Sequence, residues 1–142
     1  MRLPWLAALA AVLVAAVACN DSSSDSTTPT LPTTPTLTET FTGTLTQNGA
    51  ATFPFGVNAA GPVTATLANL QPVDGSAPVA VGLGLGTWNG AICNVTLSND
   101  ASLSSATVPA QAAQLGNFCV RIYDATGQVT VPETYTITVF HP

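Results

Sequence analysis

The chain has 142 residues, of which 46% are hydrophobic and 6% are charged, and its formal net charge is −5 at pH 7. A typical soluble domain carries about 25% charged residues, so this surface must be solvated mainly by Thr, Ser, Asn and Gln. Two basic residues cannot neutralise a phosphate backbone, which excludes nucleic-acid binding through a basic face. One His and seven carboxylates leave little material for metal or triad chemistry. We therefore expect one domain with no enzymatic activity and no cofactor.

The N-terminus predicts a secretory signal peptide over residues 1–18. Met1-Arg2 is a short positive region, and residues 3–18 form an uncharged, mostly apolar run. At about 1.5 Å per residue, this run makes a helix of roughly 24 Å, shorter than the ~30 Å hydrocarbon core of a bilayer. Such a segment, ending in small residues, is typical of a cleaved signal rather than a membrane span.

The signal ends in Ala16-Val17-Ala18-Cys19, which resembles the lipobox of bacterial lipoproteins. The resemblance implies cleavage before Cys19, a diacylglycerol on its thiol and a fatty acid such as palmitate on its new amine. Two or three acyl chains anchor a protein firmly to a membrane. Ala16 stands where that family commonly has Leu, and ordinary cleavage after the Ala-x-Ala pattern is the alternative, which would release a soluble protein. Asn20, rather than Asp, after the cysteine implies attachment to the outer membrane of the cell envelope.

Residues 19–38 are interpreted as the lipidated Cys19 followed by a disordered tether. Ser, Thr and Pro dominate residues 20–38, and Leu31 and Leu37 are the apolar exceptions. Such a stretch cannot bury enough apolar surface to offset its ordering entropy. The tether is either a stalk of functional length or a spacer without a tuned length.

Residues 39–142 alternate between apolar and polar side chains with a period of two, which predicts β-strands separated by turns such as Asn48-Gly49 and Asn89-Gly90. About seven short strands predict two packed antiparallel sheets, an all-β sandwich. One run, residues 79–85, is apolar or Gly throughout, so it is either a central strand covered on both faces or an exposed binding patch. A single helical turn is conceivable over residues 109–115. The predicted strands are centred on residues 41–45, 53–57, 63–67, 79–85, 93–97, 118–122 and 135–139.

Residues 116–124, followed by Tyr-Thr-Ile-Thr-Val at 135–139, resemble the last two strands of the bacterial pre-peptidase C-terminal domain. Residues 41–45 and 53–55 resemble its opening strands. The resemblance implies a jelly-roll-like β-sandwich, found beside secreted enzymes and in exported proteins and generally not catalytic. Ala51-Thr52 occupies the place where that family often has an acidic residue, so a ligand role tied to that residue is not carried over.

Acylation of Cys19 would leave Cys93 and Cys119 as a pair, which predicts a disulfide in an exported domain. The two cysteines differ in phase, because Cys93 lies in phase with the apolar Val95 and Leu97, whereas Cys119 lies in phase with Arg121 and Tyr123. Either a bulge shifts one strand, or the bond lies on the outer face of a sheet.

Trp88, in a predicted hairpin tip, is a candidate ligand contact that could stack on a sugar ring or simply cap the core. His141, next to the C-terminus, is expected at a frayed end. Calcium needs six to eight oxygen ligands, and the loop residues show no calcium-loop spacing, so we expect solvated turn residues and no metal site. These loop residues are Asp74, Asn99, Asp100 and Asp124.

The sequence therefore indicates a lipid-anchored cell-envelope protein with a non-catalytic sandwich domain of structural or binding role. Its expected partners are the membrane, through the lipid anchor, and a polysaccharide or an envelope protein. The alternative is a dedicated carbohydrate- or protein-recognition module that uses Trp88 and neighbouring loops or the strand at residues 79–85.

Overall fold

The computed structural model describes residues 34–142, so the predicted signal peptide, Cys19 and the tether up to residue 33 lie outside the described residues. Within residues 34–142, no helix is long and apolar enough to cross a membrane. Leu37 and Thr38, which end the predicted tether, belong to the first strand. The eight strands are β1 (Leu37–Leu45), β2 (Ala50–Val57), β3 (Gly61–Pro72), β4 (Val81–Trp88), β5 (Cys93–Ser102), β6 (Thr107–Ala112), β7 (Gly116–Tyr123) and β8 (Glu133–His141).

The strands form two four-stranded antiparallel sheets that confirm the predicted sandwich. One sheet has the order β1-β8-β3-β6 and the other the order β2-β7-β4-β5. This is the strand order of a jelly roll, in which most connections cross from one sheet to the other. Only β4 and β5, among strands consecutive in sequence, are hydrogen-bonded neighbours in the same sheet.

The additional strand is β6, which overlaps the stretch where a single helical turn was conceivable. It pairs with β3 at the edge of the first sheet, with Pro109 opposite Thr64. Proline lacks a backbone N–H, so a strand that contains it is tolerated at a sheet edge, where one side needs no partner. This segment therefore forms a strand because it pairs with β3, although its apolar and polar residues alternate only weakly.

The core lies between the inner faces of the two sheets, where the alternating apolar residues meet. Ile137 and Val139 of β8 face Leu83, Val120 and Ile122 across this layer, and all are fully buried. On β4 the apolar residues point inward, and the alternating glycines lie on the outer face, where neighbouring side chains cover them. Residues 81–86 are buried as a result, which supports the interpretation of this run as a central strand covered on both faces.

The start of β5 crosses over the outer face of β4 at Gly86. A Cβ atom built on Gly86 would lie 2.7 Å from the Cα of Val95 and still closer to the carbonyl of Asn94. The pairing register shifts at the same place, since Leu85 pairs with Leu97 while Gly86 pairs with Val95. This bulge lifts the first residues of β5 out of the edge position and over the neighbouring strand.

The lifted start of β5 explains how the predicted disulfide forms. Cys93 and Cys119 are bonded, with their Cα atoms 5.8 Å apart, although β4 lies between their strands in the sheet. Cys119 pairs with Gly86 and shares the outward phase of Arg121. Both explanations of the phase difference are therefore correct, because the bond lies on the outer face and a bulge displaces β5.

Asp124 holds the β1–β2 connection against the β7–β8 loop. Its Oδ2 accepts backbone hydrogen bonds from Asn48 and Val129 at 3.0 and 3.3 Å, and its Oδ1 accepts one from Gly127 at 2.9 Å. Desolvation alone would raise the pKa of Asp124, but the backbone donors outweigh it and hold the pKa below its usual value. The residue is a loop organiser rather than a freely solvated turn acid.

Two polar residues of β8 are buried, which the sequence reasoning missed. His141 is not at a frayed end: its Nε2 lies 3.1 Å from Glu39 Oε1, and its ring packs 5.2 Å from that of Phe55. At the other end of the strand, one carboxylate oxygen of Glu133 accepts a hydrogen bond of 2.6 Å from the backbone N–H of Val79. The inward phase of β8 extends through both residues because its neighbours β1 and β3 flank it on both sides.

Replacing Gly86 by Ala should destabilise the domain by about 3 kcal/mol, because the added methyl group overlaps the backbone of β5 and forces it to move. Gly56→Ala is the matched control, since a Cβ there meets no atom within 4 Å. That change should be neutral or stabilising by about 0.5 kcal/mol through the unfolded chain. Urea unfolding of the two variants measures both effects, and equal midpoints would contradict the close crossing.

Asp124→Asn should lower the free energy of unfolding at pH 7 by about 1 kcal/mol, because an amide NH₂ then faces the backbone donors of Asn48 and Val129. Because the pKa of Asp124 is lower in the folded state, its carboxylate contributes fully to stability above about pH 4, the ordinary range of an Asp. This contribution is lost as the pH falls through the folded-state pKa. The difference from wild type should therefore shrink between about pH 4 and pH 2.

The control for this series is Asp74→Asn, since Asp74 is exposed and its hydrogen bonds are local, with the side chain and the backbone N–H of Ser76. These hydrogen bonds also lower the pKa of Asp74, but they join no second loop, so thermal melts at each pH should show a smaller loss for this control than for Asp124→Asn. A pH-independent deficit in Asp124→Asn would show that charge on this residue is not what holds the loops.

Candidate functional site

A depression opens at one end of the sandwich, between the free edges formed by β5 and β6. It has a volume of about 480 Å³, and we call it the edge cleft. A smaller recess of about 90 Å³ continues from it towards Val63 and Leu85 in the core. The edge cleft is lined by Thr87, Thr96, Gln111, Ala113, Gln114, Leu115, Gly116, Asn117 and Phe118.

Four segments meet at the edge cleft, and the fold positions each of them. Thr87 and Thr96 come from the ends of β4 and β5 next to the bulge, where β5 rises away from the edge. Gln111 is the last residue but one of β6, and the short connection at residues 113–115 carries the chain across to β7. Phe118 forms the inner wall and packs against Phe55, with their ring centroids 6.1 Å apart.

The chemistry of the edge cleft is neutral. Its polar groups are hydroxyls and amides, which can both donate and accept hydrogen bonds, and none of its lining residues titrates near neutral pH. Phe118 and the exposed side chain of Leu115 supply apolar contact area. A small-molecule site of this kind combines apolar walls with a few polar groups that orient the ligand. The arrangement can bind and orient an uncharged ligand.

Trp88, the candidate ligand contact named from the sequence, does not line this cleft. Trp88 is the last residue of β4, half-buried, and it pairs with Cys93 at the β4–β5 hairpin. By this register it lies on the outer face of its sheet with the disulfide, whereas Thr87, its neighbour, lines the edge cleft. A role for Trp88 in ligand contact is not tested by this placement.

Of the residues considered for calcium, Asp74 and Asp124 lie in loops as predicted, whereas Asn99 and Asp100 belong to β5. Asp124 is engaged by backbone donors, and the carboxylate of Asp100 accepts the hydroxyl proton of Tyr123. Asp74 and Asn99 accept hydrogen bonds from backbone N–H groups two residues further along the chain. In the part of the chain described, no three His, Cys, Asp or Glu side chains are grouped so that they could hold a metal ion.

The residues of the edge cleft were missed by sequence reasoning because no single motif contains them. Gln111, Gln114 and Asn117 lie in a stretch without clear alternation, and Thr87 and Thr96 are ordinary strand residues in the sequence. The signal in the sequence that could have indicated this site is the group of three amide side chains, Gln111, Gln114 and Asn117, within seven residues. Its meaning depends on β6 being a strand, which brings the amides to the free edge.

Comparison with known proteins places the chain by fold alone. No protein-family model matches it, and no curated protein matches it in sequence. Among solved structures, it is similar to the Yersinia pseudotuberculosis-derived mitogen, with a TM-score of 0.53 and 15% identity over 75% of this chain and 86% of that one. It is also similar to Aeromonas hydrophila PliG, a periplasmic inhibitor of g-type lysozyme, with a TM-score of 0.50 and 11% identity over 72% and 83%.

A third similarity is to the pre-peptidase C-terminal domain of collagenase from Bacillus anthracis, the domain family that the sequence resembles. The TM-score is 0.47 and the identity is 17%, over 72% of this chain and 89% of that one. The first two similarities, with TM-scores of 0.53 and 0.50, show a shared β-sandwich fold, and at identities this low they show the fold alone.

Proposed function

We propose that this protein is an exported, lipid-anchored component of a bacterial cell envelope whose β-sandwich binds an uncharged, hydroxyl-rich ligand, such as a neutral glycan, in the edge cleft. The cleft is the observation that supports binding. Its hydroxyl and amide side chains can pair with sugar hydroxyls, and Phe118 and Leu115 can contact the apolar face of a sugar ring. Its volume of about 480 Å³ lies within the range of about 300–1,000 Å³ usual for small-molecule sites.

Export is supported by the Cys93–Cys119 disulfide, since such bonds persist in oxidising compartments. Anchoring is supported by the lipobox-like sequence that ends in Cys19 and by the even cysteine count that acylation of Cys19 leaves. With the acyl chains in the membrane, the tether gives the domain reach to a ligand outside it. The Asn20 that follows Cys19 supports an outer-membrane location.

Cys19→Ser should abolish metabolic labelling of the protein with radioactive palmitate, because the proposed acylation needs the thiol and the amine of residue 19. The double variant Cys93→Ser/Cys119→Ser is the matched control and should keep the label. The unaltered protein should partition into the detergent phase of a Triton X-114 separation. Recovery of the mature wild-type chain in the aqueous phase would contradict the anchor.

Binding in the edge cleft is tested by a glycan array that contains neutral and charged glycans. The double variant Gln111→Ala/Asn117→Ala should weaken binding to the preferred neutral glycan about tenfold or more, which corresponds to about 1.4 kcal/mol, or one to two hydrogen bonds. Gln71→Ala is the control, since this amide is equally exposed on β3 but does not line the cleft. Unchanged binding in the double variant, or no neutral glycan bound by the wild type, would refute the proposed site.

A further inference from the structure

A second, differently charged surface lies on the outer face of the β2-β7-β4-β5 sheet. There the side chains of Cys93, Val95, Arg121 and Tyr123 line a shallow depression of about 350 Å³. We call it the arginine face. It does not share a lining residue with the edge cleft, and the two open on opposite sides of the same sheet.

Arg121 is the single Lys or Arg side chain among residues 34–142. Within these residues, its guanidinium has no carboxylate within 4.0 Å, since the one ion pair there joins His141 to Glu39. The guanidinium carbon lies 5.9 Å from the centroid of the Tyr123 ring. A half-buried cation without a partner in so acidic a chain leaves its donors available to an anion from outside.

Asp100, whose carboxylate is hydrogen-bonded to a residue of the arginine face, already has a donor. Tyr123 donates its hydroxyl proton to Asp100, and burial together with this hydrogen bond raises the pKa of Tyr123, so the phenol stays protonated. The ring of Tyr123 lies over Gly82, where no Cβ would fit. The aromatic ring is therefore fixed flat against the sheet beside the guanidinium.

The floor beside Arg121 is apolar and equally fixed. Val95 lies over Gly84, which pairs with Arg121, and the buried disulfide continues the floor towards Trp88. Arg121 pairs with Gly84, and Gly84 and Trp88 are four residues apart along β4, about 13 Å at a rise of about 3.3 Å per residue. The arginine face thus has a charged end and an apolar middle, and Trp88, which we include in it from here on, adds an aromatic end.

We propose that the arginine face binds an acidic polysaccharide through the carboxylate of a uronic acid residue. A guanidinium offers a planar fork of donors that matches one carboxylate bidentately. A uronic acid carries its carboxylate on a pyranose ring, and the apolar face of that ring fits the surface formed by Val95, the disulfide and Tyr123. Trp88 would contact a further sugar of the same chain.

Other anions fit this surface less well. A phosphate group carries more charge and is commonly held by several cations, whereas one guanidinium is present here. An acidic peptide would bring backbone amides over Val95 and the disulfide, which offer them no hydrogen bonds. A single carboxylate next to an apolar ring is the chemistry that matches both parts of the arginine face.

The test is calorimetric titration of the full-length protein, purified from membranes in Triton X-100, with trigalacturonate. Trigalacturonate should bind, and its methyl ester, which keeps the rings but lacks the charges, should bind at least about tenfold more weakly. Arg121→Gln should lose the preference for the acid. Arg121→Lys should recover part of it, because a point charge remains while the bidentate fork is lost.

Trp88→Ala should weaken the binding of trigalacturonate more than the binding of monomeric galacturonate, since only the longer chain reaches both ends of the arginine face. The melting temperature of each variant is measured alongside, and the side chains replaced are at most half-buried. Gln111→Ala/Asn117→Ala should bind trigalacturonate like the wild type, which separates this inference from the edge cleft.

Three results would overturn the proposal: no binding of trigalacturonate up to roughly 10 mM, equal binding by Arg121→Gln, or equal affinity for the methyl ester. If a tetraglutamate peptide binds as tightly as trigalacturonate, the arginine face recognises carboxylates without the sugar. The proposed ligand would then be an acidic protein and not a polysaccharide.

Discussion

The contact on which the surface features of this domain depend is the passage of the β5 backbone over Gly86. A side chain at that position would overlap Val95 and the Asn94 carbonyl, so the crossing exists only because residue 86 has none. The crossing brings Cys93 within bonding distance of Cys119 across an intervening strand. Once formed, the disulfide holds β5 in the raised position, and the unfolded chain loses entropy by closing a loop between cysteines 26 positions apart.

This displacement of β5 gives the sheet two unlike surfaces. On the inner side, withdrawal of the strand from the edge leaves Thr87 and Thr96 facing the amides of β6 and the following loop, where the edge cleft opens. On the outer side, the raised strand lays Val95 and the disulfide beside Arg121, where they form an apolar floor. A neutral surface and a cationic one thus arise from the same bulge, separated by the thickness of one sheet.

Strand identity was readable from the sequence where alternation was regular, as in β3, β7 and β8, where β-branched and aromatic residues alternate with polar ones. The disulfide followed from cysteine parity. β6 was not predicted, because Thr-Val-Pro-Ala-Gln-Ala has a weak pattern and acquires its structure by pairing with β3. The burial of His141 and the grouping of Gln111 with Thr87 depend on strand order, and with one pair of sequential neighbours in the fold, local patterns do not specify that order.

The pairing of β1 with β8 has a consequence for how the protein is made. The first strand finds its hydrogen-bonded neighbour in the last one, and β8 also separates β1 from β3 in the centre of the sheet. The first sheet therefore cannot assemble until β8 has been synthesised, and contacts between such distant segments form slowly. A newly synthesised chain of this topology stays open until β8 emerges, and an open chain is narrow enough to pass through a channel that a folded sandwich cannot enter.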